Sequence, residues 1–250
     1  MIKVLINGCN GKMGQEVAKI VNADNDCVLL GGVDKEKIEE YQFPVYTNYD
    51  DIKELPNVII DFSVPAATMN ALEYAKKQHI PIVIATTGLS AEHEAVIKET
   101  AKQIPVFKSA NMSFDINLMC RIVANLAQVL KENDIEIIET HHNRKIDSPS
   151  GTAMLLADSI NKALDNSMSY EFDRHSKHEK RSKNEIGISS IRGGNIVGEH
   201  SVIFFSENES FEIKHTAYSR SVFADGAVKA AKFMVNNKFV NGFFDMNDIK

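Results

Sequence analysis

Short apolar runs and helix-like stretches alternate along the first half of the chain. The runs predict buried strands over 2–6, 28–33, 58–62, 82–85 and 106–108, and helical spacing of apolar residues predicts helices over 13–21, 66–78 and 91–103. The strand runs lack polar alternation, as in Val58-Ile59-Ile60, which is typical of strands buried on both faces. The pattern predicts an α/β fold with a Rossmann-type parallel sheet.

The pattern changes after residue 113. Helices are predicted over 115–131, 151–164 and 224–235, and strands over 135–139, 186–191, 197–205 and 211–217, with Glu207-Asn208-Glu209 as a hairpin turn. The charged segment 171–185 is predicted to be a mobile loop, either a solvated connection or a binding lid. The middle of the chain therefore predicts a second, α+β domain with an antiparallel or mixed sheet.

Composition narrows the class of protein. The 250 residues carry 28 basic and 34 acidic side chains, a net charge of −6, without a long basic run, which disfavours nucleic acid as a partner. The three cysteines are scattered and form no CxxC pair, so neither a disulfide framework nor a zinc site is indicated. Neither a signal peptide nor an apolar stretch of about 18 residues is found, so we expect a cytoplasmic protein without a membrane partner.

A glycine-rich turn follows the first predicted strand and opens the first predicted helix. Its sequence is Gly8-Cys9-Asn10-Gly11-Lys12-Met13-Gly14. Such glycines let the backbone approach a pyrophosphate at the helix start, although an ordinary glycine turn would give the same pattern. Asp34 ends the second strand and can accept hydrogen bonds from ribose hydroxyls, or it is only a turn residue. Lys35 beside it could instead meet a 2′-phosphate.

Two further loops follow strands of the predicted sheet. Ala85-Thr86-Thr87-Gly88 offers small and hydroxyl side chains at the edge where open α/β sheets bind ligands, and a plain strand–turn–helix junction fits it equally well. Ser109-Ala110-Asn111-Met112-Ser113 leads into the long helix, so Ser113 could serve only as its N-cap.

The run from Glu139 to Thr152 concentrates titratable side chains ahead of a helix. It places two adjacent histidines, an arginine, a lysine and an aspartate before Pro149-Ser150-Gly151-Thr152, where a helix start can bind an anion. Histidine and lysine can both transfer protons, so the run predicts a dinucleotide-dependent reductase acting on an acidic substrate. The alternatives are a metal site formed by His141, His142 and Asp147, which matches no common zinc spacing, and a polar surface loop.

These residues resemble the 4-hydroxy-tetrahydrodipicolinate reductase family, also called dihydrodipicolinate reductase, over nearly the whole chain. The most specific part is the signature E-x-H-H-x-x-K-x-D-x-P-S-G-T-A, here Glu139 to Ala153. The supporting matches are Gly8–Gly14, Thr86-Thr87-Gly88, Ala110–Ser113, Arg192–His200, His215 and Ser219-Arg220. From the strand pattern alone, His200 and His215 are interpreted as hydrogen-bonded structural histidines.

The resemblance implies an activity and a division of the chain. The reaction is the NAD(P)H-dependent reduction of a cyclic dicarboxylate, 4-hydroxy-tetrahydrodipicolinate, to tetrahydrodipicolinate in lysine and diaminopimelate biosynthesis. It implies a dinucleotide-binding domain over 1–112 and 218–250, and a substrate-binding domain over 113–217 that assembles a homotetramer. No resident metal is implied.

The resemblance also assigns roles to residues. His141 and Lys145 match the proton-transferring residues, and the substrate-binding residues are His142, Ser150, Gly151 and Thr152. Combined with the patterns above, the predicted cofactor site comprises Gly8, Cys9, Asn10, Gly11, Lys12, Met13, Gly14, Asp34, Lys35, Ala85, Thr86, Thr87, Ser109, Ala110, Asn111, Met112 and Arg220.

Some positions depart from the family pattern. Many members carry Arg where this chain has Lys12 and Ala where it has Ser148. Some members place an arginine at the position of Val64 that faces the 2′-phosphate of NADPH; its absence, together with Asp34, favours NADH, while Lys35 keeps NADPH open. The competing hypotheses are another two-domain Rossmann dehydrogenase, acting on a small polyol or semialdehyde, and a dinucleotide sensor without catalysis.

Overall fold

The computed structural model describes residues 1–249 and divides them into two units. The first unit contains Met1–Ser113 and the chain from Arg220 onward, and the second contains Phe114–Ser219. Each unit has its own sheet. Within residues 1–249, no helix is both long enough and apolar enough to cross a bilayer.

The first unit contains seven strands and four α-helices within its described residues. The strands are β1 (Ile2–Asn7), β2 (Cys27–Val33), β3 (Val45–Tyr46), β4 (Val58–Asp61), β5 (Ile82–Ile84), β6 (Pro105–Lys108) and, near the C-terminus, β12 (Gly242–Phe244). The helices are α1 (Lys12–Ala23), α2 (Pro65–Gln78), α3 (Ala91–Thr100) and α6 (Ser221–Asn236), with a short 3₁₀ helix at Tyr49–Asp51.

All seven strands of the first sheet run parallel, in the order β12-β6-β5-β4-β1-β2-β3. The chain first adds β2 and β3 on one side of β1 and then returns to add β4, β5 and β6 on the other. Helices follow the strands, and the central strand residues Leu5, Ile59 and Ile82 are fully buried. Ligands bind at such a reversal point in open α/β sheets, beyond the carboxyl ends of the strands.

The second unit contains a mixed sheet. Its strands are β7 (Asp134–His141), β8 (Ser169–Glu171), β9 (Glu185–Arg192), β10 (Gly198–Phe205) and β11 (Ser210–Ala217), and its helices are α4 (Phe114–Val129) and α5 (Gly151–Ala163). The strand order is β11-β10-β7-β9-β8, in which β10 is antiparallel to both of its neighbours and β9 is parallel to both of its own. The predicted fold class, a Rossmann-type sheet plus an α+β unit with a mixed sheet, is confirmed.

Strand β7 alternates between two faces of the second sheet. Ile135 and Ile137 are buried in a core that includes residues of α4 and α5, and Glu139 and His141 continue the same face toward the end of the strand. Because side chains on one face recur every second residue, the apolar core passes directly into a polar cluster. The buried face of β7 thus delivers titratable side chains to one end of the sheet.

The charged segment between β8 and β9 is held by ion pairs within its own unit. Arg181 pairs with Glu136 and, at 3.1 Å, with Asp134, and Arg174 pairs with Glu185 at 2.5 Å. The prediction of a loop over 171–185 is wrong at both ends, because Glu171 belongs to β8 and Glu185 to β9. The interior of the segment has no helix or strand, as predicted.

Candidate active site

The loop after β1 depends on glycine at two positions. Gly8 has a φ of 82°, and a Cβ there would lie 2.5 Å from the carbonyl oxygen of Phe62. A Cβ on Gly14 would lie 2.2 Å from the carbonyl oxygen of Gly8, so α1 begins this close to the loop only without a side chain. Gly11 supplies no side-chain cap, and the first turn of α1 has no acidic residue. The helix start therefore suits an anion.

Asp34 connects the end of β2 to the glycine loop. Its Oδ2 accepts a hydrogen bond from the amide of Asn10 at 2.8 Å, and its Oδ1 accepts one from the amide of Lys35 at 2.8 Å. The side chain of Asn10 donates in turn to the carbonyl oxygen of Glu36 at 2.9 Å. Asp34 therefore orders the glycine loop as well as presenting a carboxylate where Rossmann folds bind ribose.

A cavity of about 890 Å³ opens at the carboxyl ends of β1, β2 and β4. Its walls include Gly8 and Gly11 from the glycine loop, Asp34 and Lys35 after β2, and Val64 after β4. Small-molecule and cofactor sites typically enclose roughly 300–1,000 Å³. The cavity therefore combines the volume and the position expected for a dinucleotide.

A buried carboxylate holds the loops around this cavity. Asp61, at the end of β4, accepts hydrogen bonds from Asn7 at 2.8 Å, Ser63 at 2.5 Å, Thr68 at 2.6 Å and Thr86 at 3.0 Å. Burial raises the pKa of Asp61, and these four donors oppose that shift. The Thr86 hydroxyl also accepts a hydrogen bond from the amide of Ser63 at 3.0 Å. The Thr86 hydroxyl is thus engaged within the protein, so this residue could contact a ligand only through its backbone.

Other predicted cofactor contacts differ in how far their side chains can reach a ligand. The Cys9 side chain is fully buried, and a Cβ on Gly32 would lie 2.4 Å from its Sγ, so only its backbone can contribute. Burial, followed by the nearby charge of Asp34, raises the pKa of the Cys9 thiol to about 12. Ala85 is buried and Met13 half-buried, whereas the exposed side chains are those of Lys12, Lys35, Thr87, Ala110 and Arg220.

The loop after β6 is fixed by its own polar groups and by α6. Ser109 Oγ donates to the carbonyl oxygen of Asn111 at 2.7 Å, and the Asn111 side chain accepts from the amide of Ser113 at 2.8 Å. Helix α6 approaches so closely that a Cβ on Gly226 would lie 1.7 Å from the carbonyl oxygen of Met112. The loops after β5 and β6 lie at the same sheet edge as the glycine loop, since all these strands are parallel.

In the second unit, Glu139 and His141 form a buried pair. His141 Nδ1 lies 2.5 Å from Glu139 Oε2, and both side chains are buried. Arg192, at the end of β9, donates from Nη1 to Oε2 at 2.8 Å and from Nη2 to Oε1 at 2.7 Å. Burial disfavours the ionised form of Glu139, but the hydrogen bonds from His141 and Arg192 outweigh it and hold the pKa of this carboxyl well below its usual range. Glu139 is therefore ionised.

Ser150 joins this pair to the start of α5. Its amide donates to Glu139 Oε1 at 3.1 Å, and its hydroxyl caps the helix by accepting from the amide of Ala153 at 3.1 Å. The same hydroxyl lies 3.0 Å from His200 Nε2. Burial, and then the charge of His141, lowers the pKa of His200 to about 3, so its ring is neutral. A neutral imidazole carries one N–H, and a hydroxyl can donate or accept, so either His200 Nε2 or the Ser150 hydroxyl can be the donor in this hydrogen bond.

The start of α5 is open to an anionic ligand. Its first turn contains no acidic residue, and a Cβ added at Gly151 would meet no atom within 4 Å. Thr152 is half-buried in the same turn. Amides at a helix start, reinforced by the helix dipole, favour negative charge.

The remaining predicted catalytic side chains lie in the loop between β7 and α5. Lys145 Nζ pairs with Asp147 at 2.8 Å, and its amide donates to the carbonyl oxygen of His142 at 3.1 Å. Burial raises the pKa of Asp147, but the hydrogen bond and charge of Lys145 outweigh it and lower that pKa. The amide of His142 donates to the carbonyl oxygen of Ile196 at 2.8 Å. In the described part of the chain, no group of three or more His, Cys, Asp or Glu side chains could hold a metal ion.

Three residues of this cluster were not predicted as site residues: Glu139, Arg192 and His200. The interpretation of His200 and His215 as hydrogen-bonded histidines is wrong for their Nδ1 atoms, which are buried without a hydrogen-bond partner. His200 and His215 lie directly opposite each other on β10 and β11. The period-two pattern of β7 would have placed Glu139 on the face of His141, whereas Arg192 and His200 were noted only as the ends of a motif that supports the resemblance, with no role in the site assigned to either.

Solved structures share this architecture. The dipicolinate-bound dihydrodipicolinate reductase from Paenisporosarcina sp. TG-14 matches with a TM-score of 0.79 and 25% identity, covering 99% of both chains. The diaminopimelate dehydrogenase of C. glutamicum, solved with its ligand, matches with a TM-score of 0.60 at 15% identity, covering 100% of this chain and 94% of that one. The second match shows the fold alone.

The sequence matches two family models that together span most of the chain. Residues 2–112 match the dihydrodipicolinate reductase N-terminus and residues 115–249 match the dihydrodipicolinate reductase C-terminus. The 4-hydroxy-tetrahydrodipicolinate reductase of Caldanaerobacter subterraneus subsp. tengcongensis is 48% identical over 249 residues, covering 100% of this chain and 98% of its own. That of Clostridium tetani is 46% identical, covering 99% and 96%. The chain therefore belongs to the dihydrodipicolinate reductase family, dinucleotide-dependent oxidoreductases of lysine and diaminopimelate biosynthesis.

Proposed function

We propose that His141 and Lys145 provide the protons for reduction of 4-hydroxy-tetrahydrodipicolinate, and that the start of α5 binds a substrate carboxylate. The observation that carries this proposal is the buried cluster in which Glu139 contacts both the His141 ring and the Ser150 amide. The Glu139 carboxylate thereby holds both the His141 ring, proposed to transfer a proton, and the start of α5, proposed to bind an anion. Acid–base catalysis needs this kind of fixed geometry between the transferring group and the bound substrate.

The substrate contacts follow from charge and shape. The reductase from Paenisporosarcina sp. TG-14 was solved with dipicolinate, a flat ring with two carboxylates. In this chain the Gly151 and Thr152 amides, with Ser150 as the cap, offer one carboxylate a helix start. His142, half-buried directly after β7, would contact a carboxylate from the loop that leads to α5.

The proton must come from side chains that can regain a proton from solvent after donating one. The net reaction takes up one hydride and one proton, and the 4-hydroxyl leaves as water. Lys145 is partly exposed and paired with Asp147, so it can donate a proton and regain one from water. His141 would hold or release a proton at Nε2, the ring atom that Glu139 does not contact.

The cavity of the first unit fits a dinucleotide. A Cβ at Gly8 or Gly14 would collide with backbone atoms, so the tight path of this loop requires glycine at both positions. The start of α1 behind the loop has no side-chain cap and no acidic residue, and a pyrophosphate would fit there. Bound in its reduced form, the dinucleotide would supply the hydride. The residues proposed to hold it are the glycine loop, Asp34, the backbone of Ala85–Thr87 and the loop Ser109–Met112.

We propose NADH as the preferred dinucleotide. Asp34 places a carboxylate at the cavity wall, where it accepts hydroxyl donors and repels a 2′-phosphate. Val64 lines the same cavity and brings no positive charge. Lys35 favours NADPH instead, because it also lines the cavity and could pair with a 2′-phosphate.

The open face of the second sheet supports a homotetramer. Ile191 and Phe205 are 50% and 41% exposed, and Ile138 and Ile203 lie half-buried on the same face, opposite the helices. Exposed apolar side chains of this kind on a sheet face favour an oligomer interface, and the same face also carries the ion pair of Lys214 with Glu199. A cytoplasmic location is part of the proposal, because the three cysteines are free and buried, as a reducing compartment allows.

One assay tests the proposal. NADH and NADPH oxidation is followed by absorbance after addition of the freshly made product of the preceding aldol step. We expect oxidation of both dinucleotides with a higher kcat/KM for NADH, and a large loss of kcat in Lys145→Ala. If neither NADH nor NADPH is oxidised, the proposed reaction is refuted. Tight NADH binding without turnover would favour a dinucleotide sensor.

A further inference from the structure

We propose that Glu139 is a positioning residue: held by Arg192, its carboxylate keeps the His141 proton on Nδ1 and leaves Nε2 as the atom that exchanges a proton with substrate. The inference rests on the proposed role of His141. It adds a residue for which neither the sequence signature nor the comparisons supply a function.

The first step is the saturation of the Glu139 carboxylate. Oε2 accepts from His141 and from Arg192 Nη1, and Oε1 accepts from Ser150 N and from Arg192 Nη2, all between 2.5 and 3.1 Å. An ionised carboxylate can only accept hydrogen bonds, so His141 Nδ1 must carry a proton. The paired guanidinium keeps the carboxylate ionised although it is fully buried.

The second step concerns the opposite edge of the His141 ring. A Cβ on Gly198 would lie 3.0 Å from His141 Nε2, so the missing side chain leaves space beside that nitrogen. His200 packs edge-on against the ring, with centroids 5.1 Å apart, and is neutral. The charges around this cluster are those of Glu139 on β7, Arg192 on β9, and Lys145 and Asp147 in the following loop.

The third step links proton state to substrate binding. Glu139 also receives the Ser150 amide, and Arg192 Nη2 donates to the carbonyl oxygen of Asp147 at 2.7 Å. One ion pair therefore fixes the His141 ring, the start of α5 and the loop between them. In Glu139→Gln the side-chain amide has one oxygen that accepts hydrogen bonds and one NH₂ group that donates them, so it cannot accept at both the Oε1 and the Oε2 position. We expect this change to disturb the tautomer of the His141 ring first.

The matched variants are Glu139→Gln and Glu136→Gln. Glu136 lies on the same strand but on the opposite face, and it too pairs with an arginine, Arg181. We expect Glu139→Gln to lower kcat by about 10²-fold or more, as loss of an orienting carboxylate does in histidine-dependent catalysis. The Kd for NADH should stay unchanged, and Glu136→Gln should leave kcat unchanged.

The decisive readout is the ring tautomer of His141. Spectra of protein labelled with ring-¹⁵N histidine, recorded at alkaline pH and assigned by the signal missing in His141→Gln, report which nitrogen carries the proton. We expect Nδ1–H in the unaltered protein and in Arg192→Lys, which retains a positive partner, and Nε2–H in Glu139→Gln. A general loss of structure would also release the ring, so the tautomer is compared only in samples whose other histidine signals match those of the unaltered protein.

Each outcome supports or overturns the inference. Nε2–H in the unaltered protein would overturn it, even if Glu139→Gln does not fold. Equal kcat in Glu139→Gln and Glu136→Gln would also overturn it, as would a low kcat with the proton still on Nδ1. Failure of the proposed function is separate: His141→Gln would then retain full kcat, whatever the tautomer in the unaltered protein.

Discussion

Replacement of Gly14 by alanine tests whether the glycine loop is shaped for a dinucleotide. The added Cβ would lie 2.2 Å from the carbonyl oxygen of Gly8 and 2.7 Å from Cys9 Cα, whereas ordinary contact begins at 3.4 Å. Both atoms belong to the backbone, so no side-chain rotation can relieve the overlap. Helix α1 must therefore move away from the loop by about 1 Å, because interiors are packed without spare volume.

The size of the effect follows from that displacement. Helix α1 buries Val17 and Val21 completely, so moving it disturbs the core, and overpacking of this kind lowers the free energy of unfolding by about 1–3 kcal/mol. A hydrogen bond to a charged group is worth about 1.5–3 kcal/mol. Loss of one phosphate contact at the start of α1 would therefore raise the Kd for NADH by about 10- to 10²-fold.

The measurement is a fluorescence titration with NADH, accompanied by urea unfolding of the same samples. Gly151→Ala is the matched control, because Gly151 also stands in the first turn of a helix but has no atom within 4 Å of an added Cβ. We expect the control to bind NADH like the unaltered protein. If Gly14→Ala binds NADH just as tightly, the glycine loop is not the phosphate site and the reasoning fails.

Three further predictions concern individual side chains. His141→Ala and Lys145→Ala should lower kcat far more than they raise the Kd for the dinucleotide; a collapse of dinucleotide affinity would contradict their roles. Asp34→Ala should weaken NADH more than NADPH in parallel titrations, and since Asp34 also holds the Asn10 amide, both should weaken. Burial lowers the pKa of His200 to about 3 from its usual value of about 6.5, so the unfolded chain binds a proton in this window that the folded chain does not. Stability should fall as pH drops from 6.5 toward 3, and His200→Gln should flatten that slope in urea unfolding at several pH values.

The sequence predicted the elements that carry enough residues to show a period. The runs that became β1, β2 and β4 and the helical spacing of α4 and α5 lie within a few residues of their predicted limits. The strands that were missed, β3, β8 and β12, contain two or three residues each, too few for any alternation. β3 pairs with β2 and β8 with β9, the strands next to them in the chain, whereas β12 pairs with the distant β6, and none of these pairings shows in so short a segment.

The candidate site divides in the same way. His141, Lys145 and Ser150 stand within ten residues of each other, so their chemistry could be predicted from spacing. Arg192 enters the site because β9 pairs in parallel with β7, which brings it opposite His141, and His200 enters because β10 places it opposite Glu139. Register across strands separated by some fifty residues is fixed by the packing of the whole sheet.

Residues of the predicted cofactor motifs differ in whether their side chain or only their backbone can reach a ligand. Cys9 and Thr86 were predicted as cofactor contacts, but the Cys9 side chain packs against Gly32 and the Thr86 hydroxyl is hydrogen-bonded to Asp61. We expect these two positions to offer a ligand their backbone atoms, because their side chains are engaged within the protein. Glu139 shows the converse: it is a fully buried residue at the head of the signature, and its carboxylate contacts both the His141 ring and the Ser150 amide at the start of α5. With His141 in the proposed role, proton transfer depends on a group that need not touch the substrate, and we expect substitutions of Glu139 to alter turnover before they alter dinucleotide affinity.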